Sequence, residues 1–262
     1  MFKKIATYTV YTLLTLVPLL YLFFSARLTA RESSELVCER IVVRVLDSAQ
    51  NRFVEKSEIV NIIVNEGITL SESRIKNINL HQLEELINNR TAVKISQISI
   101  TRRGTLRADI TQRRPIIRLE TLNGGFYMDD SGYLFPLLNN YSSYVPVITG
   151  NIPVNIPRGF RGDADKEERW FEMVYNLGIY LENNSFWNSM IEQIHINRKG
   201  VMLMTPRIGE TEIIFGTPDN IDLKFRKLNA FYSVVVPSEG WEKYSSVDVR
   251  FSNQLVCKKK NN

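Results

Sequence analysis

The sequence predicts an α+β protein with three parts: a single N-terminal transmembrane helix, a small strand-helix-helix-strand-strand domain, and a larger mixed antiparallel β-sheet domain with two or three helices. Three observations carry that prediction. Residues 5–26 hold no charge. Residues 38–115 place two helical periodicities between β-branched and alternating runs. From residue 116 onward, turn-forming Gly and Asp clusters separate aromatic and aliphatic runs, and two amphipathic segments, about 166–182 and 220–232, interrupt them.

The first element is Ile5–Ala26, 22 residues between Lys4 and Arg27, which as a helix would span about 33 Å. A cleaved signal peptide is the competing reading, but its apolar stretch is usually about 7–15 residues. Cleavage after Ala26 or Ala30 would also put Phe24 or Leu28 where a small side chain is needed. Residues 5–26 are therefore read as an anchor and 1–4 as a cytoplasmic tail. Charge alone does not set the orientation, since Arg27, Arg31, Arg40 and Arg44 outnumber Lys3 and Lys4. A long C-terminal body translocates largely regardless of charge, so residues 27–262 are expected outside the cytoplasm.

In the domain expected over 38–115, Ile41–Leu46 reads as a strand. Ser57 is placed as the N-cap of a first helix with Ile59, Val60, Ile62 and Ile63 on one face, and Gly67 stops it. Asn79 and Gln82 frame a second start, before Leu80, Leu83, Leu86 and Ile87 at helical spacing. Ile98 and Ile100, then Leu106, Ala108 and Ile110, alternate with polar residues around an Arg102-Arg103-Gly104 turn. One polar face predicts an antiparallel sheet with helices on one side.

In the domain expected over 116–257, Asn123-Gly124-Gly125 and Asp129-Asp130-Ser131-Gly132 read as hairpin turns. A loop over 151–165 precedes a helix with Trp170, Phe171, Val174, Leu177 and Leu181 on one face, and a later helix turns Leu228, Phe231 and Tyr232 inward. Val247, Val249 and Phe251 alternate with Asp248 and Arg250 as a last strand, continued through Leu255-Val256-Cys257, and 258–262 is a basic tail.

The net charge of +5 comes from the two ends, with Lys3, Lys4, Lys258, Lys259 and Lys260, so the folded body is neutral. That argues against a nucleic-acid partner. Two histidines and two cysteines are poor material for a transition-metal site, and no cofactor is expected. No GxSxG, HExxH, CxxC, Walker or spaced GxGxxG motif occurs, which speaks against an enzyme and a small-molecule substrate. His81 reads as a solvated helix residue and His195 as a cross-strand packing partner. Asp129–Gly132 lacks the alternate ligands of a calcium loop and reads as turn chemistry. Cys38 and Cys257 sit at opposite ends of two sequential domains, which rarely brings Cα atoms within the reach of a disulfide.

Two features point to partners. Arg102, Arg103, Arg107, Arg113, Arg114 and Arg118 form the densest basic run, read first as a solvated hairpin face, with Arg102, Arg103 and Arg107 a second docking surface for an acidic partner or a phospholipid surface. The stretch Val249, Arg250, Phe251, Ser252, Asn253, Gln254, Leu255 and Val256 is the first: a closing strand often lies at a sheet edge, and the lysines after it look like edge protection.

Gly104-Thr105-Leu106 through Gln112-Arg113-Arg114-Pro115-Ile116, the hairpin Phe126–Pro136 and the strand Val247–Phe251 resemble, in turn, the junction motif, the hairpin and the terminal strand of the FtsQ/DivIB family of bacterial cell-division proteins. Arg103-Gly104 replaces the usual Trp-Pro, Gln112 an acid, and Phe251 a Tyr, as in a divergent, Bacteroidetes-like branch. The resemblance implies a POTRA domain followed by a β domain in a single-pass inner-membrane protein at the septum. It implies a non-enzymatic divisome scaffold that recruits single-pass FtsB/FtsL-type proteins by strand addition at Val249–Val256. Arg250 would face an acidic partner residue and Phe251 make an aromatic contact, while the POTRA domain would dock other divisome proteins. Two alternatives compete: a POTRA-bearing part of an outer-membrane insertion or secretion apparatus, which would need a lipid-facing barrel, and an anchored cell-wall enzyme, which would need a catalytic cleft.

Overall fold

The computed structural model describes residues 14, 16–25, 36–49, 52–90, 92–165 and 168–260, and divides after Gln112 into two compact units. Residues 14 and 16–25 are helical, and their large apolar side chains, such as Leu19 and Phe24, are exposed. No helix among the described residues is long and apolar enough to cross a membrane; the rest of the expected 5–26 span lies outside them.

The first unit is a three-stranded sheet of β1 (Arg40–Val45), β2 (Val93–Ile100) and β3 (Thr105–Gln112) in the order β1-β3-β2. Its strands alternate as the sequence implies: Leu106, Ala108 and Ile110 are fully buried under helices α1 (Lys56–Asn65) and α2 (Leu80–Arg90), which contribute Ile59, Ile63, Leu83 and Ile87. Each of these Leu and Ile side chains stabilises the unit by about 1.5–3 kcal/mol through burial. The expected all-antiparallel sheet is corrected, because β1 runs parallel to β3. Two helices and β2 intervene between them, so the β2–β3 hairpin inserts its second strand beside β1 in the same direction. Alternation marks a face and says nothing about direction.

The α2 cap forms as expected, with the Gln82 N–H donating to Asn79 Oδ1 at 3.2 Å. The α1 cap does not. That helix starts after Glu55, and the Ser57 hydroxyl donates to the Glu55 carboxylate instead.

The second unit is one open sheet of ten strands, ordered β13-β12-β11-β10-β9-β7-β4-β5-β6-β8. Its strands are β4 (Pro115–Thr121), β5 (Gly124–Asp129), β6 (Tyr133–Pro136), β7 (Val147–Gly150), β8 (Gly162–Asp163), β9 (Ile191–Ile196), β10 (Met202–Pro206), β11 (Glu212–Gly216), β12 (Tyr244–Asp248) and β13 (Val256–Lys259). Three neighbouring pairs are parallel: β4 with β7, β7 with β9, and β11 with β12. Parallel neighbours need crossovers. Helices α3 (Arg169–Glu182) and α4 (Ser185–Met190) lie on the crossover to β9, and α5 (Ile221–Ala230), extended as a π-helical turn over Phe231–Val235, lies on the crossover to β12. Against the sheet these helices bury Phe171, Val174, Leu177, Trp187, Phe225 and Phe231. A Cβ on Gly178 would come within 2.9 Å of Ile116 Cδ1, so glycine there sets how closely α3 approaches β4.

Candidate docking edge

The last two strands are built from the β11–α5–β12 crossover outward. Ile213 of β11 and Val247 of β12, opposite each other in the parallel ladder, are fully buried and fix β12 as an inner strand. Asp248 then ends it. Its Oδ1 accepts the Arg250 backbone N–H at 3.0 Å, and its carboxylate accepts the Arg250 guanidinium at 3.0 and 2.6 Å. A side chain that binds the backbone two residues on offers the chain an alternative to the ladder, and the strand stops there.

Burial pushes the Asp248 carboxyl up, but hydrogen bonds from Arg250 and the charges of Arg250 and Lys227 outweigh it, and the group titrates below its ordinary value. Lys227 of α5 holds the following loop by donating to the carbonyls of Val249 and of Phe251, the latter at 2.6 Å. Burial first, and repulsion from Lys224 second, pull the Lys227 amine below its usual range, partly offset by Asp248. Arg250 lies across Gly216, whose φ of +86° and missing Cβ make room for it; a Cβ there would meet Arg250 Cγ at 2.8 Å.

After a turn at residues 251–253 the chain returns as β13, antiparallel to β12, pairing Asp248 with Val256, Val247 with Cys257 and Ser246 with Lys258. The Lys260 N–H donates to the Lys243 carbonyl at 3.0 Å. Antiparallel alternation then directs the N–H and C=O of Cys257 and Lys259 away from β12. On that side the sheet has no further strand among the described residues. Cys257 packs on the core and burial raises its thiol pKa, while Val256, Lys258 and Lys259 are exposed. Lys260 is bound to Glu210 and Glu242 at 2.6 and 2.9 Å.

A model of the family described as FtsQ/DivIB, C-terminal related, matches residues 114–258, more than half of the chain and all but the last residue of β13. The chain belongs to that family. A model described as a POTRA-like domain matches residues 36–111, so this is an FtsQ/DivIB-like protein with a POTRA domain ahead of its C-terminal domain. No curated protein matches it.

The segment Val249–Val256, expected as one FtsQ/DivIB-type edge strand, is not one strand. Val249 is fully buried and lies beyond the end of β12, Arg250 folds back on Asp248, and Leu255 is half-buried against the core. Phe251 is exposed, as are Ser252, Asn253 and Gln254 in and after the turn, and Val256 is the first residue of β13. The Asp248 turn is the cause. The edge strand itself is the four residues Val256–Lys259, and Lys258 and Lys259, expected as a tail, belong to it.

The basic run also divides. Arg102, Arg103 and Arg107 are exposed on the β2–β3 hairpin. Arg113 is buried instead, its Nη1 on Asp129 Oδ2 at 2.7 Å and its guanidinium over the Tyr133 ring. Arg114 pairs with Glu182 at 3.0 Å, and Arg118 pairs with Glu120. Asp129 uses its other oxygen to accept the Ser131 and Tyr133 N–H groups, both at 2.9 Å, so the Asp129–Gly132 turn is held by internal chemistry.

His81 is exposed, 3.4 Å from Glu85. His195 sits on β9 with its Nδ1 3.2 Å from Thr149 Oγ1 across the parallel pair. Both cysteines are free thiols, and burial raises the buried Cys38 against hydrogen bonds from its neighbours' backbone. Among the described residues no three His, Cys, Asp or Glu side chains gather as metal ligands. Sequence reasoning missed Lys227. Nothing in its spacing announces that it binds carbonyls more than twenty residues away.

Proposed function

We propose that this FtsQ/DivIB-family protein is a non-enzymatic, membrane-anchored scaffold of the bacterial division septum, and that its terminal edge strand recruits an FtsB/FtsL-type single-pass partner by strand addition. In this reading residues 1–4 are cytoplasmic, 5–26 cross the inner membrane, and the domains over 38–115 and 116–257 lie outside it, with the POTRA domain docking other divisome proteins. The observation that supports it is the open side of β13, with the Cys257 and Lys259 backbone groups facing outward beside exposed Val256 and Lys258. Main-chain pairing there would supply affinity, and alternate side chains would supply specificity. Val249 is buried, its N–H on the Ile214 carbonyl of β11, and makes no contact with a strand added at β13, while Phe251 at the loop is exposed to touch it.

In cells, a photo-crosslinking residue placed in turn at Val256, Lys258 and Lys259 is expected to give adducts to one small single-pass membrane protein. A label at Leu223, on the crossover helix, is expected to give none. Equal adducts from all positions to many proteins, or adducts only from Arg102, Arg103 and Arg107, would overturn strand addition at this edge.

A further inference from the structure

The POTRA domain is electrically polarised across its two layers. Its three strands and the β2–β3 turn carry six bases, Arg40, Arg44, Lys94, Arg102, Arg103 and Arg107, against one acid, Asp109, while residues 55–90, the helical layer, carry six acids against four bases. The register gathers several of those bases on the uncovered side of the sheet. Arg40 lies opposite Thr105, Val42 opposite Arg107 and Arg44 opposite Asp109 in the parallel pair, and the intervening Val43, Leu106 and Ala108 are buried beneath the helices. Arg40, Arg44 and Arg107 therefore project to solvent from the same face, with Arg102 and Arg103 exposed at its rim. Asp109 pairs with Arg44 through hydrogen bonds of 2.7 and 2.6 Å and attracts Arg107 more weakly, through charge alone. Arg40, Arg102, Arg103 and Arg107 have no ion pair to a described residue, and exposed Glu39 is the other acid nearby.

We propose that this open arginine face rests on an anionic phospholipid surface. Two arguments commit it to lipid rather than to an acidic protein. The charge is spread over the uncovered face of a three-stranded sheet, its arginines on alternate positions of neighbouring strands and at the hairpin rim, an array that does not converge on one point. It also begins at the first residue of β1, only 14 residues beyond Ala26, so even a fully extended chain holds Arg40 within about 50 Å of the end of the apolar run. Clustered arginines beside a membrane-proximal segment are drawn to anionic headgroups, and the attraction falls off over a Debye length. The second argument rests on the anchor reading above.

The test uses the full chain with Cys257→Ser, leaving buried Cys38, and a donor dye on Ser99→Cys, which sits opposite Arg107 on the same face. It is mixed with vesicles of POPC or POPC:POPG 7:3 carrying a headgroup acceptor. Energy transfer is expected to be at least about twofold higher on the POPG vesicles at about 0.1 M salt and to fall to the POPC value at about 0.5 M. The triple variant Arg40→Gln, Arg103→Gln, Arg107→Gln should lose the difference. The variant Lys56→Gln, Arg74→Gln, Lys76→Gln, equal in charge change but on the helical layer, should keep it.

Transfer independent of POPG, or lost equally in both variants, overturns the proposal; the first result would favour an acidic protein on this face. Flotation of the unlabelled chain separates the two readings. A chain that floats on POPC but shows no POPG effect is anchored without the face. A chain that floats only with POPG, reversibly in salt, uses the face without the anchor.

Discussion

The two edges of the ten-stranded sheet are closed by different means. At one end β8 is two residues long and is tied back through the Ala164 N–H to the Gly132 carbonyl at 3.0 Å. At the other, β13 is four residues, its outer backbone open and two of its side chains lysines. Behind each edge stands an arginine–aspartate pair. Arg113–Asp129, with side-chain exposures of 11% and 0%, organises the turn that carries β5 into β6, the strand β8 pairs with; Arg250–Asp248, at 44% and 10%, organises the turn that carries β12 toward β13. A short edge offers nothing to a partner strand, and the pair behind it is sealed into the core. A longer edge can be read from outside, and the pair behind it stays half in water, where screening weakens it.

That contrast is open to direct attack. Asp129→Ala leaves Arg113 buried without its counter-ion and should cost the full chain about 3–5 kcal/mol, measured as a shifted urea midpoint by tryptophan fluorescence. A loss of less than about 1 kcal/mol would mean that water reaches Arg113 and the two pairs are alike. Next come two prolines on one strand. Lys258→Pro removes an N–H that points into the ladder and should cost about 2 kcal/mol, while Lys259→Pro removes one that points outward and should cost less than about 1 kcal/mol yet abolish the partner crosslink. The reverse order of stability would place the open backbone groups at Lys258.

Smaller than the loss expected for Lys258→Pro is the one at Asp248. Asp248→Asn should cost about 1–2 kcal/mol at pH 7. The folded-state carboxyl lies below its ordinary value, so its stabilisation is complete above the unfolded value near pH about 4 and is lost as pH falls through the folded one. The stability gap between wild type and variant should therefore close on acidification. A gap that persists unchanged well below pH 3 would mean that packing, and not charge, holds this turn.

What the sequence made legible was local. The Asn79–Gln82 cap, the Asn123-Gly124 hairpin and the Asp129–Gly132 turn depend on residues within a few positions of one another, and each formed. What stayed hidden needed a partner far along the chain. β10 and β11 were passed over because Met202-Leu203-Met204 is too short and too evenly apolar to show a period, and they gain their identity only by pairing with β9 and β12. Arg113 looked like one more solvated arginine until Asp129 was placed against it. The end of the docking strand was misjudged for a related reason. Asp248 alternates as a strand residue should, and only its bonds to Arg250 reveal it as a stop.

The parallel pairing of β11 with β12 has a consequence for synthesis. β12 and β13 follow every other strand of their sheet in the chain, and β12 can join only after α5 has carried the chain back across the sheet. While the ribosome is still making that crossover, β11 is the exposed margin, and its apolar Ile213 and Phe215, fully buried in the finished protein, are uncovered along it. The edge proposed to receive a partner strand thus comes into being only with β12 and β13, and their arrival covers the apolar margin of β11 in the same step.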